Sequence, residues 1–414
     1  MKILLINPYY HPNDYGGTET VVKLIAENMK DSDEVAVYTV DSDADDLKKE
    51  RIADVTIYRG SGGNFRIPLL HSDYSRWRNA VVQRVNFRIK AEFTNVIKDF
   101  EPDVVHTHNV YGFSTMIWRY AKREGIPVIH TIHDYWMLRW DVVLFTRLNS
   151  RFVDFVTAPS EPVQKEFQSA KVFTCACTVI PNGIPIDILH HIGLVSRKNL
   201  VYDVRPFRFI YVGRLEAVKG VKQLVKAFQK LKRNDVELRI CGKGSLQKYV
   251  VKAAKEDSKI VYQGYLDKKA LNRMYGECDV LVIPSLWEEP FGMVAIEAFY
   301  NGLTVIASNR GGLKDIINYM ECGTLINPED GQELENAINK YCDRDTIASD
   351  LVKIKKHIGH LCVEEQVQSM REIYRKAVAC TKAVRGGREY LFNFPEIDFA
   401  SHKVINHIAI CGIG

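Results

Sequence analysis

No stretch of about 18 apolar residues occurs in the 414-residue chain, although 46% of its residues are hydrophobic, so a bilayer-spanning helix is not expected. The opening MKILLINPYYHP is also too short an apolar run for a secretory leader. Cysteine is scarce and scattered: there are nine, and only Cys175 and Cys177 lie close together. That excludes a disulfide framework and suits a reduced, cytoplasmic protein. A zinc site combining this pair with His190 and His191 fits no standard ligand spacing. Neither sign of charge dominates, with 56 Lys and Arg against 51 Asp and Glu for a net +5. Such a mild excess suits anionic small molecules or a lipid surface, and does not imply nucleic acid. Short repeats and low-complexity tracts are also missing.

What is present is a pattern. Val- and Ile-rich runs alternate with segments of helical period, as in parallel sheets covered by helices on both faces, and the length calls for more than one core. Strands are expected at 3–7, 35–40, 55–60, 103–108, 127–133, 152–158 and 178–184, with helices such as 18–30 and 114–125 between them. The alternation restarts at 207–213 and continues with strands at 236–242, 259–265, 279–285, 303–308 and 323–328. Residues 185–206, with Pro185 and Pro206 at the ends, read as a linker. Ligands of open parallel sheets gather at the carboxyl ends of the strands.

Three strand-end loops carry chemistry. NPYYHPNDYGGTE places Gly16 and Gly17 before a helix, where backbone N–H groups can approach an anion; a plain helix-entry turn explains the pair as well. The loop lacks the GxGxxG spacing of a nicotinamide site. YVGRLEAVKGV sets Arg214 and Lys219 at one strand end, a clamp for a diphosphate or two solvated cations. In PSLWEEPFGMVAIEAFY, Glu289 sits in the loop and Glu297 about two turns into an apolar helix over 291–300 that stops at Asn301-Gly302. A carboxylate there needs a partner, solvent or a ligand. The Asp-x-Asp pairs at Asp41/Asp43, Asp43/Asp45 and Asp343/Asp345 read as surface turns, and no metal is expected.

Taken together, the Gly16-Gly17 loop, PDVVHTH, HDYWML, VIPNG, VGRLEAVKG and PSLWEEPFGMVAIEA resemble glycosyltransferase family 4, retaining enzymes of the GT-B fold, over roughly residues 1–375. The resemblance implies an α/β protein of two Rossmann-like domains facing across a cleft: 1–185 on the acceptor side, 186–362 binding the nucleotide sugar, a helix at 363–384 crossing back, and a tail at 385–414. The tail, ending NHIAICGIG, reads as a strand that opens a further domain or adds to an existing sheet. The resemblance further implies transfer of a sugar from a nucleotide sugar, such as a UDP- or GDP-sugar, to a glycan or lipid-linked acceptor without a cofactor. It places Glu289 on donor-sugar hydroxyls and Glu297 on the ribose. Pro290, Phe291, Gly292 and Met293 pass the diphosphate, Arg214 and Lys219 neutralise it, and Gly16 and Gly17 close on the same phosphates. A histidine of the HxH strand end lies near the donor sugar. Alternation turns His106 and His108 the same way, and His108, nearer the loop, is favoured, with His133-Asp134 shaping the acceptor pocket. A GT-B epimerase or phosphorylase, or an inactive nucleotide-sugar-binding protein, shares these features. Finally, the basic amphipathic segment 74–93, with Arg84 and Arg88, reads either as a peripheral membrane contact or as a core-packed helix.

Overall fold

The computed structural model describes residues 1–12, 16–41, 46–61, 87–185, 205–385, 390–398 and 403–411. They form two compact units: residues 1–182 with the segments from Val363 onward, and Gly183–Cys362. The division falls three residues before the expected boundary. Ile184 makes a parallel bridge to Cys362, and its N–H donates to the Leu361 carbonyl, so the end of the first half belongs to the second unit.

The first unit is built on an eight-stranded sheet: β1 (Lys2–Ile6), β2 (Glu34–Val40), β3 (Lys48–Ile52), β4 (Val55–Gly60), β5 (Val104–Thr107), β6 (Val128–Thr131), β7 (Phe155–Ala158) and β8 (Cys177–Val179). The spatial order is β3-β4-β2-β1-β5-β6-β7-β8. All neighbours are parallel except β3 against β4. Every residue of β5, β6, β7 and β8 is buried, as expected where helices cover both faces. β3, with the sequence KKERI, lies outside the expected set. It is a charged, exposed edge strand with no apolar alternation to betray it.

The second unit carries β9 (Phe207–Val212), β10 (Val236–Cys241), β11 (Ile260–Gly264), β12 (Val280–Ile283), β13 (Thr304–Ser308) and β14 (Thr324–Ile326). They are all parallel, in the order β11-β10-β9-β12-β13-β14. Each sheet therefore reverses its winding direction once, beside β1 and β5 in the first and beside β9 and β12 in the second. At such a reversal the strand-end loops diverge and leave room for a ligand. Trp118, Phe113, Tyr38 and Phe93 fill the first core, and Phe209, Phe228 and Tyr341 the second.

The helix Val363–Arg385 packs in the first unit, where Arg371 pairs with Asp33 at 2.8 Å. After it, β15 (Tyr390–Asp398) and β16 (Lys403–Cys411) form an antiparallel hairpin grouped with the same unit. The expected tail strand is β16, and its partner is β15 rather than a strand of the larger sheets. The proposed linker lies outside the described residues over 186–204. So does the basic segment over 74–86; its continuation begins the helix Phe87–Phe100, with Ile89 and Phe93 fully buried in the core.

Candidate active site

In the second unit the candidate residues converge on the winding reversal because glycines let backbone segments touch. The chain leaves β9 through Gly213 and Arg214 into a short 3-10 turn, Ala217–Lys219. Gly220 follows at φ +72°, and a Cβ there would lie 1.7 Å from the Pro284 carbonyl oxygen at the end of β12. Only glycine fits. The Val218 carbonyl accepts from the Leu286 N–H at 2.8 Å and the Trp287 N–H at 3.2 Å, fastening the β9 loop to the β12 loop.

On this frame Lys219 Nζ meets Glu289 Oε1 at 2.5 Å, and Ser285 Oγ donates to the same oxygen at 2.8 Å. The Glu289 backbone is held from the other side: its carbonyl accepts from Gly312 N–H at 2.7 Å. Gly311, at φ +55°, sits where a Cβ would fall 2.3 Å from the Glu289 carbonyl oxygen. Arg214 lies at the same strand end but is exposed and in no ion pair among the described residues; its carbonyl accepts from Tyr211 Oη at 2.8 Å.

The helix bearing Glu297 starts at Met293, later than the expected 291, because Gly292 takes a left-handed conformation at φ +112° and becomes the cap. Phe291 is buried and anchors the turn, while Pro290 and Met293 remain half-buried. No side chain caps this helix, so its first N–H groups point at the loop without an intrahelical acceptor. Glu297 is half-buried and accepts from the fully buried Tyr275 Oη at 3.3 Å. Burial raises its pKa against the opposing pull of Lys268 and that hydrogen bond. Glu289 and Glu297 are thus held separately, one by a cation and a serine, the other by a tyrosine.

In the first unit Gly16 caps the helix Gly17–Met29 in an extended conformation, again with no side-chain cap. Both glycines are exposed. The two histidines at the carboxyl end of β5 differ in their surroundings. His106 is buried with both ring nitrogens engaged, Nδ1 with Tyr374 Oη at 2.6 Å and Nε2 with Thr131 Oγ1 at 2.7 Å. His108 lies 4.1 Å away, ring centre to ring centre, and its Nδ1 meets His133 Nε2 at 2.9 Å. Its own Nε2 is buried without a hydrogen-bond partner. Burial and the neighbouring imidazoles push His106 and His108 well below the usual histidine range, and burial takes His133 down to about 3. Asp134 is pushed up to about 6 by burial and accepts from the Trp136 N–H at 2.9 Å.

Among the described residues no three His, Cys, Asp or Glu converge as metal ligands. Sequence reasoning passed over Ser285, Tyr275 and the Gly311-Gly312 cradle. The last carried a visible signal, since IASNRGG repeats after β13 the strand, loop and Gly-Gly arrangement noted at residues 16–17. Ser285 and Tyr275 carried none.

Two family models match. "Glycosyltransferase Family 4" covers residues 15–188 and "Glycosyl transferases group 1" residues 195–357. An uncharacterized glycosyltransferase of Methanocaldococcus jannaschii is 26% identical over 82% of this chain and 88% of its own length. Among solved structures, a sucrose-phosphate synthase from Thermosynechococcus elongatus superposes with a TM-score of 0.74 at 21% identity, covering 91% of this chain and 99% of that one. HepE of Anabaena, in complex with UDP-glucose, does so with a TM-score of 0.64 at 19% identity over 91% and 100%. With two models spanning both halves and the parallel-sheet units found here, the chain belongs to the family 4 glycosyltransferases, of the GT-B fold.

Proposed function

We propose that this glycosyltransferase moves a sugar from a nucleoside-diphosphate sugar to a hydroxyl of a glycan or lipid-linked glycan, with retention at the anomeric carbon and without a metal. The observation that carries the reading is the Lys219–Glu289 pair at the winding reversal, fixed by backbone contacts at Gly220 and Gly311. A donor diphosphate competes with Glu289 for the Lys219 ammonium. Once Lys219 and Arg214 face the phosphates, the Glu289 carboxylate is released to accept from sugar hydroxyls. Pro290, Phe291, Gly292 and Met293 bring the uncapped helix start to the same charge, and Glu297 takes the ribose hydroxyls.

In the reaction the bond from the anomeric carbon to the diphosphate oxygen breaks, and the bond to the acceptor oxygen forms on the same face. The acceptor proton passes to the departing phosphate, and fixed cations stabilise the charge that develops there. His108, neutral at pH 7 with one buried nitrogen open, is suited to hydrogen-bond a sugar hydroxyl, and His133 sets its tautomer and orientation.

A panel of nucleotide sugars, scored for released nucleotide with and without lipid-linked acceptors and in EDTA, tests this. Acceptor-dependent release that EDTA leaves unchanged, with an α-linked product from an α-linked donor by NMR, is expected. An inverted product or loss of turnover in EDTA overturns the corresponding part.

A further inference from the structure

The first unit exposes a stripe of large apolar side chains that its core does not use. Trp140 is 89% exposed, Leu144 67% and Leu148 58%. They recur every four residues along the helix Val143–Ser150 and the turn that leads into it, so they share one face. The opposite face is committed to the core, with Val142, Thr146, Asn149 and Ser150 buried. Single exposed leucines need no explanation, but three large apolar groups spaced four apart along a helix and the turn before it do.

The surroundings are basic. Between residues 136 and 151 there are three arginines and one acid. Asp141 is held by Arg139 through two contacts of 3.1 Å, leaving Arg147 and Arg151 as exposed charge. Arg119 adds to them, since its guanidinium and that of Arg151 both lie over the Phe152 ring, at 5.9 and 5.0 Å. A tryptophan and two leucines projecting from a positive rim match an anionic bilayer interface: indole sits at headgroup depth, leucine enters the acyl boundary, and arginine meets lipid phosphate. No helix among the described residues is long and apolar enough to cross the bilayer, so such contact would be peripheral.

We propose that the face formed by Trp140, Leu144, Leu148, Arg147 and Arg151 docks this chain on an anionic phospholipid surface. The stripe belongs to the segment that follows β6, the strand whose carboxyl end also leads to His133, and starts about nine residues beyond it. Docking there holds the end of the unit that carries His108 and His133 beside the lipid surface, where a lipid-linked acceptor presents its hydroxyl. The purpose rests on the transfer reading above; the binding does not.

Flotation of the full chain with vesicles of phosphatidylcholine containing about one-third phosphatidylglycerol is the test. The wild type should float with these and not with phosphatidylcholine alone. Trp140→Asp with Leu144→Asp, and separately Arg147→Glu with Arg151→Glu, should each cut the bound fraction about tenfold or more. Leu148→Asp gives an independent check, and an unchanged circular-dichroism melt confirms folding. Undiminished flotation of these variants, equal binding to neutral vesicles, or a wild-type dimer that Trp140→Asp splits without any vesicle binding overturns the proposal. In that last case the face belongs to a second copy. Nucleotide release with a water-soluble acceptor and no vesicles should be the same in every variant. If the wild type lacks that release yet floats through this face, the transfer reading fails and the docking stands.

Discussion

The two units share a plan and fill it with opposite kinds of side chain. Each is a parallel sheet, save for the edge strand β3 of the first, with one winding reversal, and in each the reversal gathers the candidate residues. In the second unit those residues are charged, and backbone contacts at Gly220 and Gly311 hold Lys219 and Glu289 in place. In the first they are imidazoles packed against one another and kept neutral by burial. Fixed charge is what a departing diphosphate requires, whereas neutral hydrogen-bonding groups suit a sugar whose hydroxyls carry no charge. One topology thus carries a neutral polar cluster in one unit and an ionic one in the other, because topology fixes where side chains gather and not what they are.

The most direct way to break the comparison is to remove a charge from the second unit. Lys219→Ala and Glu289→Ala should each lower kcat/KM by about two orders of magnitude with the fold intact, as the loss of one fixed group facing developing charge does. His108→Ala should cost less, about tenfold, if its part is a hydrogen bond to a neutral sugar. Steady-state nucleotide release on the same donor measures all three. An effect of His108→Ala equal to that of Lys219→Ala ends the distinction between an ionic and a neutral cluster.

Acid sharpens the contrast. His130 is fully buried, hydrogen-bonded to Thr107 Oγ1 at 2.9 Å, and driven by burial down to about 3. A base whose folded pKa is depressed stays neutral in the fold while the unfolded chain takes up a proton as pH falls below about 6.5. Its contribution is therefore complete above pH 6.5 and is progressively lost down to about pH 3. By pH 5 His130 alone withdraws about 2 kcal/mol, and His133, also down to about 3, adds to this. Melting followed by hydrogen exchange in β5 and β6 should weaken between pH 6.5 and 5, before most carboxylates titrate, while protection in β9 and β12 holds. Equal loss in both sheets would show that the histidines do not set the acid limit.

Much of this was legible in advance, and the reasons are specific. The buried strands announce themselves through unbroken Val and Ile runs, whereas β3 is a polar edge whose only signature is its pairing with β4. Arg214 and Lys219 stood out by their place after one strand, Glu289 and Glu297 by theirs after another, and the family resemblance joined the two pairs. Their partners did not stand out: Ser285 is an ordinary residue after a strand, and Tyr275 reaches Glu297 from another helix, 22 positions away. Alternation could place His106 and His108 on one side but could not choose between them. The difference lies in distant partners: Tyr374, 268 residues away, takes His106 Nδ1, and Thr131 takes His106 Nε2, the ring nitrogen that has no hydrogen-bond partner on His108.

The smallest effect is expected where the second unit most resembles the first. Glu297 is a half-buried carboxyl raised in pKa by burial and steadied by the buried Tyr275 hydroxyl. Its hydrogen bond is long at 3.3 Å, so Tyr275→Phe removes a weak contact while keeping the ring that fills the core. The net value of such a bond is about 1 kcal/mol, equivalent to about a fivefold change in an equilibrium constant. If Glu297 grips the ribose, the loss should appear in KM for the nucleotide sugar and leave kcat nearly unchanged, because the ribose is bound alike before and during transfer. Glu297→Gln should raise KM further, since a neutral amide is a poorer acceptor for two hydroxyls than a carboxylate. Steady-state kinetics on both variants separates the roles, and a fall in kcat with KM unchanged would move Glu297 from holding the nucleotide to assisting the bond change.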